Sequence, residues 1–278
     1  MTADGAPLSD IEIQEYLEFA CHVAELAGKV ILPYFRSGAS VENKLKVGYD
    51  PVTMADREAE WLIRSEITRA YPQHSILGEE FGTSFGASAL TWVIDPIDGT
   101  RGFVMGLPQW GTLLALNDGA RPLLGVMHQP FIGETFMGSR HGAYLRSEER
   151  TERLKTREIA ELSDASVCAT HPDMFSEGEE HAAFSRIARA CKQTRYGTDC
   201  YGWCLLAAGL IDLVIETQLK PYDIQAPIAI IEAAGGIVTD WAGQPAYNGG
   251  RVLGAANSRL HQIALEILIS STTQKSTE

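Results

Sequence analysis

The apolar run TWVI at 91–94 passes directly into Asp95-Pro96-Ile97-Asp98-Gly99-Thr100. Such a run reads as a buried strand. Two carboxylates at its end therefore stand where charge costs several kcal/mol unless it is paired or bound to a cation. The placement recurs: Glu79 and Glu80 follow SILG, and Asp223 in KPYDIQA precedes an apolar helical stretch. A single Asp before a helix is ordinarily a cap, but the whole set requires a fold that gathers carboxylates around cations. Few cationic residues adjoin these segments and neither His nor Cys is interleaved, so all-oxygen ligation of Mg²⁺ or Mn²⁺ is expected rather than a tetrahedral zinc site. Pro96 fixes a turn through which Asp95, the Ile97 carbonyl and Asp98 can converge, and Gly99 admits a ligand close to the backbone. The amides of Gly99 and Thr100 form a nest for a phosphate oxygen. Cations beside an anion nest imply phosphoryl chemistry.

Elsewhere the pattern is that of a globular chain. Ser9 or Asp10 caps a helix whose Leu17, Ala20, Ala24, Ala27 and Ile31 recur at helical spacing, and Thr53 caps a second that ends before Pro72. HSILGEE, TWVID, WGTLLALN, PLLGVMHQP, GETFMGS and GAYLR read as successive strands, and from about residue 163 strands and helices alternate, which predicts sheets covered by helices. The length of 278 residues suits one domain with two lobes, 1–150 of α+β type and 151–278 of α/β type. The charged stretch from Arg146 to Leu162 reads as a solvated connection between them, and the polar tail SSTTQKSTE as frayed. A formal charge of −13 argues against a nucleic-acid surface. No run is long enough to span a bilayer. Five cysteines without a CxxC pair suit a reducing compartment, so a cytoplasmic protein is expected.

The ordered set DPVTMAD (50–56), GEE (78–80), DPIDGT (95–100), YGTD (196–199), PYDIQA (221–226) and EAAGGIVTDWAGQP (232–245) resembles the inositol monophosphatase family of magnesium-dependent, lithium-sensitive phosphatases, over nearly the whole chain. The resemblance implies an αβαβα sandwich of alternating helix and sheet layers, in a homodimer. It implies Glu79, Asp95 and the Ile97 carbonyl as ligands of a first Mg²⁺, and Asp95, Asp98 and Asp223 as ligands of a second. Glu79 would also touch a third. Catalytic roles fall to Glu79, and to Asp56 and Thr100 as the residues that orient the attacking water. One departure is Tyr222-Asp223, where the family usually carries Trp-Asp.

Asp199 and Glu216 match family positions that face the leaving group, with Gly99 and Thr100 completing the substrate-binding set. Two solvated, ionised carboxylates beside the alcohol suit a substrate with an ammonium or imidazolium group. DPIDGTRGF, YGTDCYGW and KPYD together resemble the histidinol-phosphatase branch, which implies L-histidinol phosphate as the small phosphorylated substrate. Inositol monophosphate, fructose bisphosphate and nucleotide phosphates remain alternatives within the enzyme class. A non-catalytic metal-binding regulator remains one outside it. Arg101, His171 and the pair Cys200 and Cys204 are assigned no chemistry.

Overall fold

The computed structural model describes residues 8–38, 40–44, 46 and 51–270. Asp50 of the DPVTMAD motif and the polar tail from Ser271 lie outside them. Helix α1 (Asp10–Ile31) opens with a capping box, in which the Ser9 amide donates to Glu12 at 2.7 Å and the Glu12 amide donates to the Ser9 hydroxyl at 3.3 Å. Helix α2 (Met54–Ala70) opens the same way, with Thr53 as cap and Asp56 as the reciprocal acceptor. The remaining helices are α3 (Thr100–Met105), α4 (Glu179–Ala190), α5 (Asp199–Ala207), α6 (Pro221–Ala233) and α7 (Ser258–Ser270).

Strands β1 (Val41–Asn43) and β2 (Pro51–Thr53) pair with each other. The large sheet contains β3 (Ser75–Gly78), β4 (Gly82–Ser84), β5 (Thr91–Asp98), β6 (Gly111–Asn117), β7 (Pro122–Gln129), β8 (Glu134–Ser139), β9 (Gly142–Arg146) and β10 (Thr151–Arg153), in the order β10-β9-β8-β7-β6-β5-β3-β4. A second sheet contains β11 (Ser166–Ala169), β12 (Gln193–Tyr196), β13 (Leu213–Leu219), β14 (Ile237–Asp240) and β15 (Gly250–Ala255), in the order β12-β11-β13-β15-β14.

Side-chain alternation along β5 sets the layers. Trp92 and Ile94 join the core under α1 and α2, while Val93 joins the core shared with α5 and α6. The second sheet closes that middle core, and its outer face packs Leu213, Ile215 and Leu253 against Phe184 of α4 and Leu260 of α7. The result is the expected α-β-α-β-α sandwich. Helix α6 lies so close to the large sheet that a Cβ on Gly125 would fall 2.3 Å from the Ala226 carbonyl oxygen, and one on Gly138 would fall 2.5 Å from the Ile230 Cα. Among the described residues no helix is long and apolar enough to cross a membrane.

Two expectations change. DPID is not a turn after the strand: β5 continues to Asp98, and its register against β6 slips between Asp95, opposite Leu113, and Asp98, opposite Gly111. A bulge of this kind tolerates Pro96, which has no amide to contribute to the ladder. Its carbonyl accepts the Thr112 hydroxyl at 2.8 Å. The charged stretch after Arg146 is likewise more than a solvated connection. It forms edge strand β10 and then buries Leu154 and Thr156, and Arg157 Nε reaches the fully buried Asp212 at 3.0 Å. Its apolar and pairing residues are spaced too widely to register as a strand pattern.

Candidate active site

Bulge, strand end and helix start bring three carboxylates together. Asp95, Asp98 and Asp223 each offer an oxygen, and these oxygens lie within 4.8 Å of one another. Each is held by one backbone amide: Ile97 N–H donates to Asp95 at 3.1 Å, Cys200 N–H to Asp98 at 2.7 Å and Lys220 N–H to Asp223 at 2.7 Å. These amides orient the groups without neutralising them. Burial, reinforced by Glu79, Asp98 and Asp223, raises the Asp95 pKa well above the carboxylate range. Burial also raises Asp98, with Asp223, Asp199 and Glu216 adding to the effect, and pushes Asp223 up to about 7. An all-oxygen set of crowded like charges, Asp95 buried and Asp98 and Asp223 half-buried, fits hard divalent cations.

Glu79 and Glu80 follow β3, where the Glu79 amide bonds the Ile94 carbonyl at 3.2 Å. This turn is tied to a residue that the sequence reading missed. Glu60 of α2, 0% exposed, accepts the amides of Glu80 at 2.7 Å and Phe81 at 3.2 Å, and pairs with Arg64 at 2.7 Å. Gly78 is needed there, since a Cβ would fall 2.0 Å from a Glu60 oxygen. The available signal was a carboxylate inside the buried stripe Ala59, Ile63, Ile67. Lys44 also went unnoticed: its ammonium pairs with Glu79 at 2.9 Å and with Glu80. The expectation of too few cations near these segments therefore fails at Glu79 and Glu80, because chain folding delivers Lys44 from 35 residues away. Burial opposes the Lys44 charge, but the two glutamates hold its pKa above the ordinary lysine value. Burial pushes Glu80 up to about 7.

Asp56 is buried, and its Oδ2 accepts both the amide and the hydroxyl of Thr53, at 2.8 and 2.7 Å. Burial outweighs those bonds and pushes its pKa up to about 6. Thr100 begins α3 and its hydroxyl donates to the Ile97 carbonyl at 2.9 Å, leaving that oxygen a second lone pair. Gly99 precedes it at φ +85°, a conformation that favours glycine.

Asp199 is half-buried and Glu216 fully buried, so neither stands free in solvent. Asp199 starts α5 at φ +42° and sits against α3: its Cβ is 3.1 Å from where a Gly99 Cβ would be, and its Oδ2 is 3.5 Å from the same point on Gly102. It does not cap α5. Thr198 is the N-cap residue, and Asp98 receives the Cys200 amide. Glu216 on β13 is 2% exposed, accepting the Thr170 hydroxyl at 2.7 Å and the Trp203 indole N–H at 3.3 Å. Thr170 also interacts with Asp199, so one hydroxyl joins the pair. Burial pushes Asp199 up to about 6 and Glu216 up to about 8. Neither group is therefore the freely ionised surface carboxylate the sequence suggested. Thr170 and Trp203 are further residues the sequence reading missed, since both lie within apolar runs.

Tyr222 stands by Glu79, Asp223 and Asp95; burial and these charges raise its pKa. Exposed Arg101 acts electrostatically on Asp199. His171 accepts the Asp173 amide at 3.1 Å at the start of a short 3₁₀ turn. Cys200 and Cys204 pack in the middle core as expected, and all five cysteines are free.

The sequence pattern of the inositol monophosphatase family matches residues 12–275. The chain belongs to this family. A chloroplastic bifunctional phosphatase of Arabidopsis thaliana is 39% identical over 94% of this chain and 77% of its own length. A histidinol-phosphatase of Chlorobaculum parvum is 34% identical over 88% of this chain and 93% of its own. Among solved structures, an inositol monophosphatase from Zymomonas mobilis superposes with a TM-score of 0.82 and 35% identity, over 94% of this chain and all of the other. Family membership makes the protein a phosphatase-type hydrolase of small phosphomonoesters.

Proposed function

We propose that this inositol monophosphatase family member is a Mg²⁺-dependent L-histidinol-phosphate phosphatase. Support for the reaction type comes from the convergence of Asp95, Asp98 and Asp223. Glu79, Asp95 and the Ile97 carbonyl would hold one cation, Asp95, Asp98 and Asp223 a second, and Glu79 a third, with Mn²⁺ as a substitute. Bound Mg²⁺ would supply acidification of the attacking water and screening of the phosphate charge. Asp56, fixed through Thr53, and Thr100, fixed through the Ile97 carbonyl, orient that water by hydrogen bonding. Gly99 leaves the backbone open to the phosphate oxygens.

The substrate choice rests on one observation: half-buried Asp199 and fully buried Glu216 share Thr170, and both bear on Asp98. Two carboxylates withdrawn from water recover most when an organic cation occupies the space between them and solvent, because charge-assisted hydrogen bonds are the strong ones. A neutral polyol offers no such gain. Names of relatives, including the histidinol-phosphatase of Chlorobaculum parvum, point the same way. Phosphate release with Mg²⁺ from a panel of histidinol phosphate, inositol monophosphate, fructose bisphosphate and a nucleotide bisphosphate tests the reading. Histidinol phosphate is expected to give the highest kcat/KM; comparable values across the panel would sink the assignment.

A homodimer is part of the same proposal. Met105 (74% exposed), Leu107, Phe131 (46%) and Ile132 are exposed apolar side chains from two segments. Arg36 joins the two: it stacks over Phe131 at 4.7 Å and donates to the Gly106 carbonyl at 2.9 Å. Phe131→Glu is expected to shift sedimentation from dimer to monomer; a monomeric parent chain would refute it.

A further inference from the structure

At the opposite end of α6 from Asp223 lies a cleft of about 340 Å³ unrelated to the acidic centre. Its walls carry three arginines from three separate elements: Arg121 just before β7, Arg140 between β8 and β9, and Arg153 at the end of β10. Two rulers place it away from the chemistry. From Asp223 to Glu232, which lines the cleft, α6 rises about 13 Å at ~1.5 Å per residue. Along β7, Met127 is opposite Leu113, itself opposite Asp95, while Pro122 lines the cleft about 17 Å away at ~3.4 Å per residue.

The arginines are incompletely neutralised. Arg140 is committed to Asp10 at 2.7 Å and to the Leu8 carbonyl at 2.8 Å. Arg121 lowers the pKa of Glu232, whose net shift is upward through burial, yet the two form no ion pair within 4.0 Å. Among the described residues Arg153 has no carboxylate partner. Its guanidinium instead lies over Gly142, 3.3 Å from where a Cβ would be. At φ +115° that position favours glycine, so the backbone leaves the planar group room at the cleft wall. In a chain of net charge −13, this is a local inversion of sign.

The geometry points to a second anion site: the Arg121, Arg140 and Arg153 cleft binds a small phosphate-class dianion, independently of the metal-ligand carboxylates. Guanidinium forks match phosphate oxygens in pairs, whereas a lone carboxylate engages one fork at a time. The cleft is large enough for a phosphorylated metabolite of modest size.

Calorimetric titration of the full chain with inorganic pyrophosphate in excess EDTA isolates this site, because without cations the acidic centre repels anions. Saturable binding is expected, weakened about tenfold or more in the Arg121→Glu/Arg153→Glu double variant, roughly the worth of one charge-assisted hydrogen bond. Arg153→Gln, which removes charge without reversing it, is expected to weaken binding in the same direction. Both variants should keep Mg²⁺-dependent turnover on the substrate panel within about twofold, a difference of under 1 kcal/mol. A parallel malonate titration is expected to be weaker than pyrophosphate. Undetectable binding at millimolar pyrophosphate, affinity unchanged in both variants, or tighter binding of malonate would overturn the site as stated.

Discussion

The acidic centre has two ends that hold their carboxylates differently. Around Asp95, Asp98 and Asp223, like charges crowd within 4.8 Å with one backbone amide apiece. Around Asp199 and Glu216, side-chain donors take over: the Thr170 hydroxyl and the Trp203 indole both donate to Glu216. The first arrangement gains most from cations arriving from solvent. The second is partly satisfied by the protein and gains most from a ligand that brings its own positive charge. Under the proposed function, one end would serve reaction chemistry common to any phosphomonoester, and the other would choose among them.

The largest test of this division is Asp98→Asn. Asparagine can still accept the Cys200 amide, so the fold should persist while a cation ligand is lost. Turnover is expected to fall about a thousandfold or more on every substrate of the panel, several kcal/mol of lost charge stabilisation. A substrate-selective loss would break the comparison.

Asp199→Asn should act in the complementary way. KM for histidinol phosphate is expected to rise about tenfold to a hundredfold, the value of one charge-assisted contact, with inositol monophosphate kinetics unchanged. A uniform drop in kcat would make Asp199 part of the scaffold of α3 and α5 instead. Trp203→Phe removes one of two donors from Glu216 while keeping an aromatic ring in the core. KM for histidinol phosphate should rise about fivefold to tenfold, with kcat within twofold, consistent with the ~1 kcal/mol of a single hydrogen bond. Loss of thermal stability without a KM change would show that the indole only packs.

The smallest effect is a pH dependence of the metal-free protein. Glu80, Asp223 and Glu216 are pushed up to about 7, 7 and 8 from ordinary values of 4.5, 3.8 and 4.5. Between pH 6.5 and 8 the folded state therefore binds more protons than the unfolded one, and stability falls as pH rises. His128, depressed by burial from 6.5 to about 4, has the opposite sign but contributes below pH 6.5, where acidification favours the unfolded chain. The melting temperature in EDTA should drop by several degrees from pH 6.5 to 8, and Mg²⁺ should remove most of that drop. An EDTA curve that rises over this interval would contradict the crowding of uncompensated carboxylates.

Much of this architecture was legible because its signals are local. Ser9 and Thr53 announce helix starts, and the short apolar runs mark six strands of the large sheet. Misread elements depend on partners. Strand β10 is a three-residue edge recognisable only beside β9, and the bulge at Pro96 exists only in register with β6. In the site, Asp95, Asp98, Glu79 and Asp223 stood out as charges misplaced in apolar surroundings. Glu60, Lys44, Thr170 and Trp203 did not, because each looks ordinary in its own segment and acquires its partner across 13 to 46 residues.

By itself the sequence marked which carboxylates are costly to leave unaccompanied, and so pointed to DPIDGT as the place where the proposal puts cations and phosphate chemistry. Chain order and residue type suffice for that, since a charge at a buried strand end is costly in any fold. Tertiary structure alone decided how the charges are shared: Asp98 turned toward the Cys200 amide, Lys44 brought to Glu79 and Glu80, and Thr170 shared between half-buried Asp199 and buried Glu216. Burial and distance set the energy of a carboxylate, and both belong to the folded layers rather than to any stretch of chain.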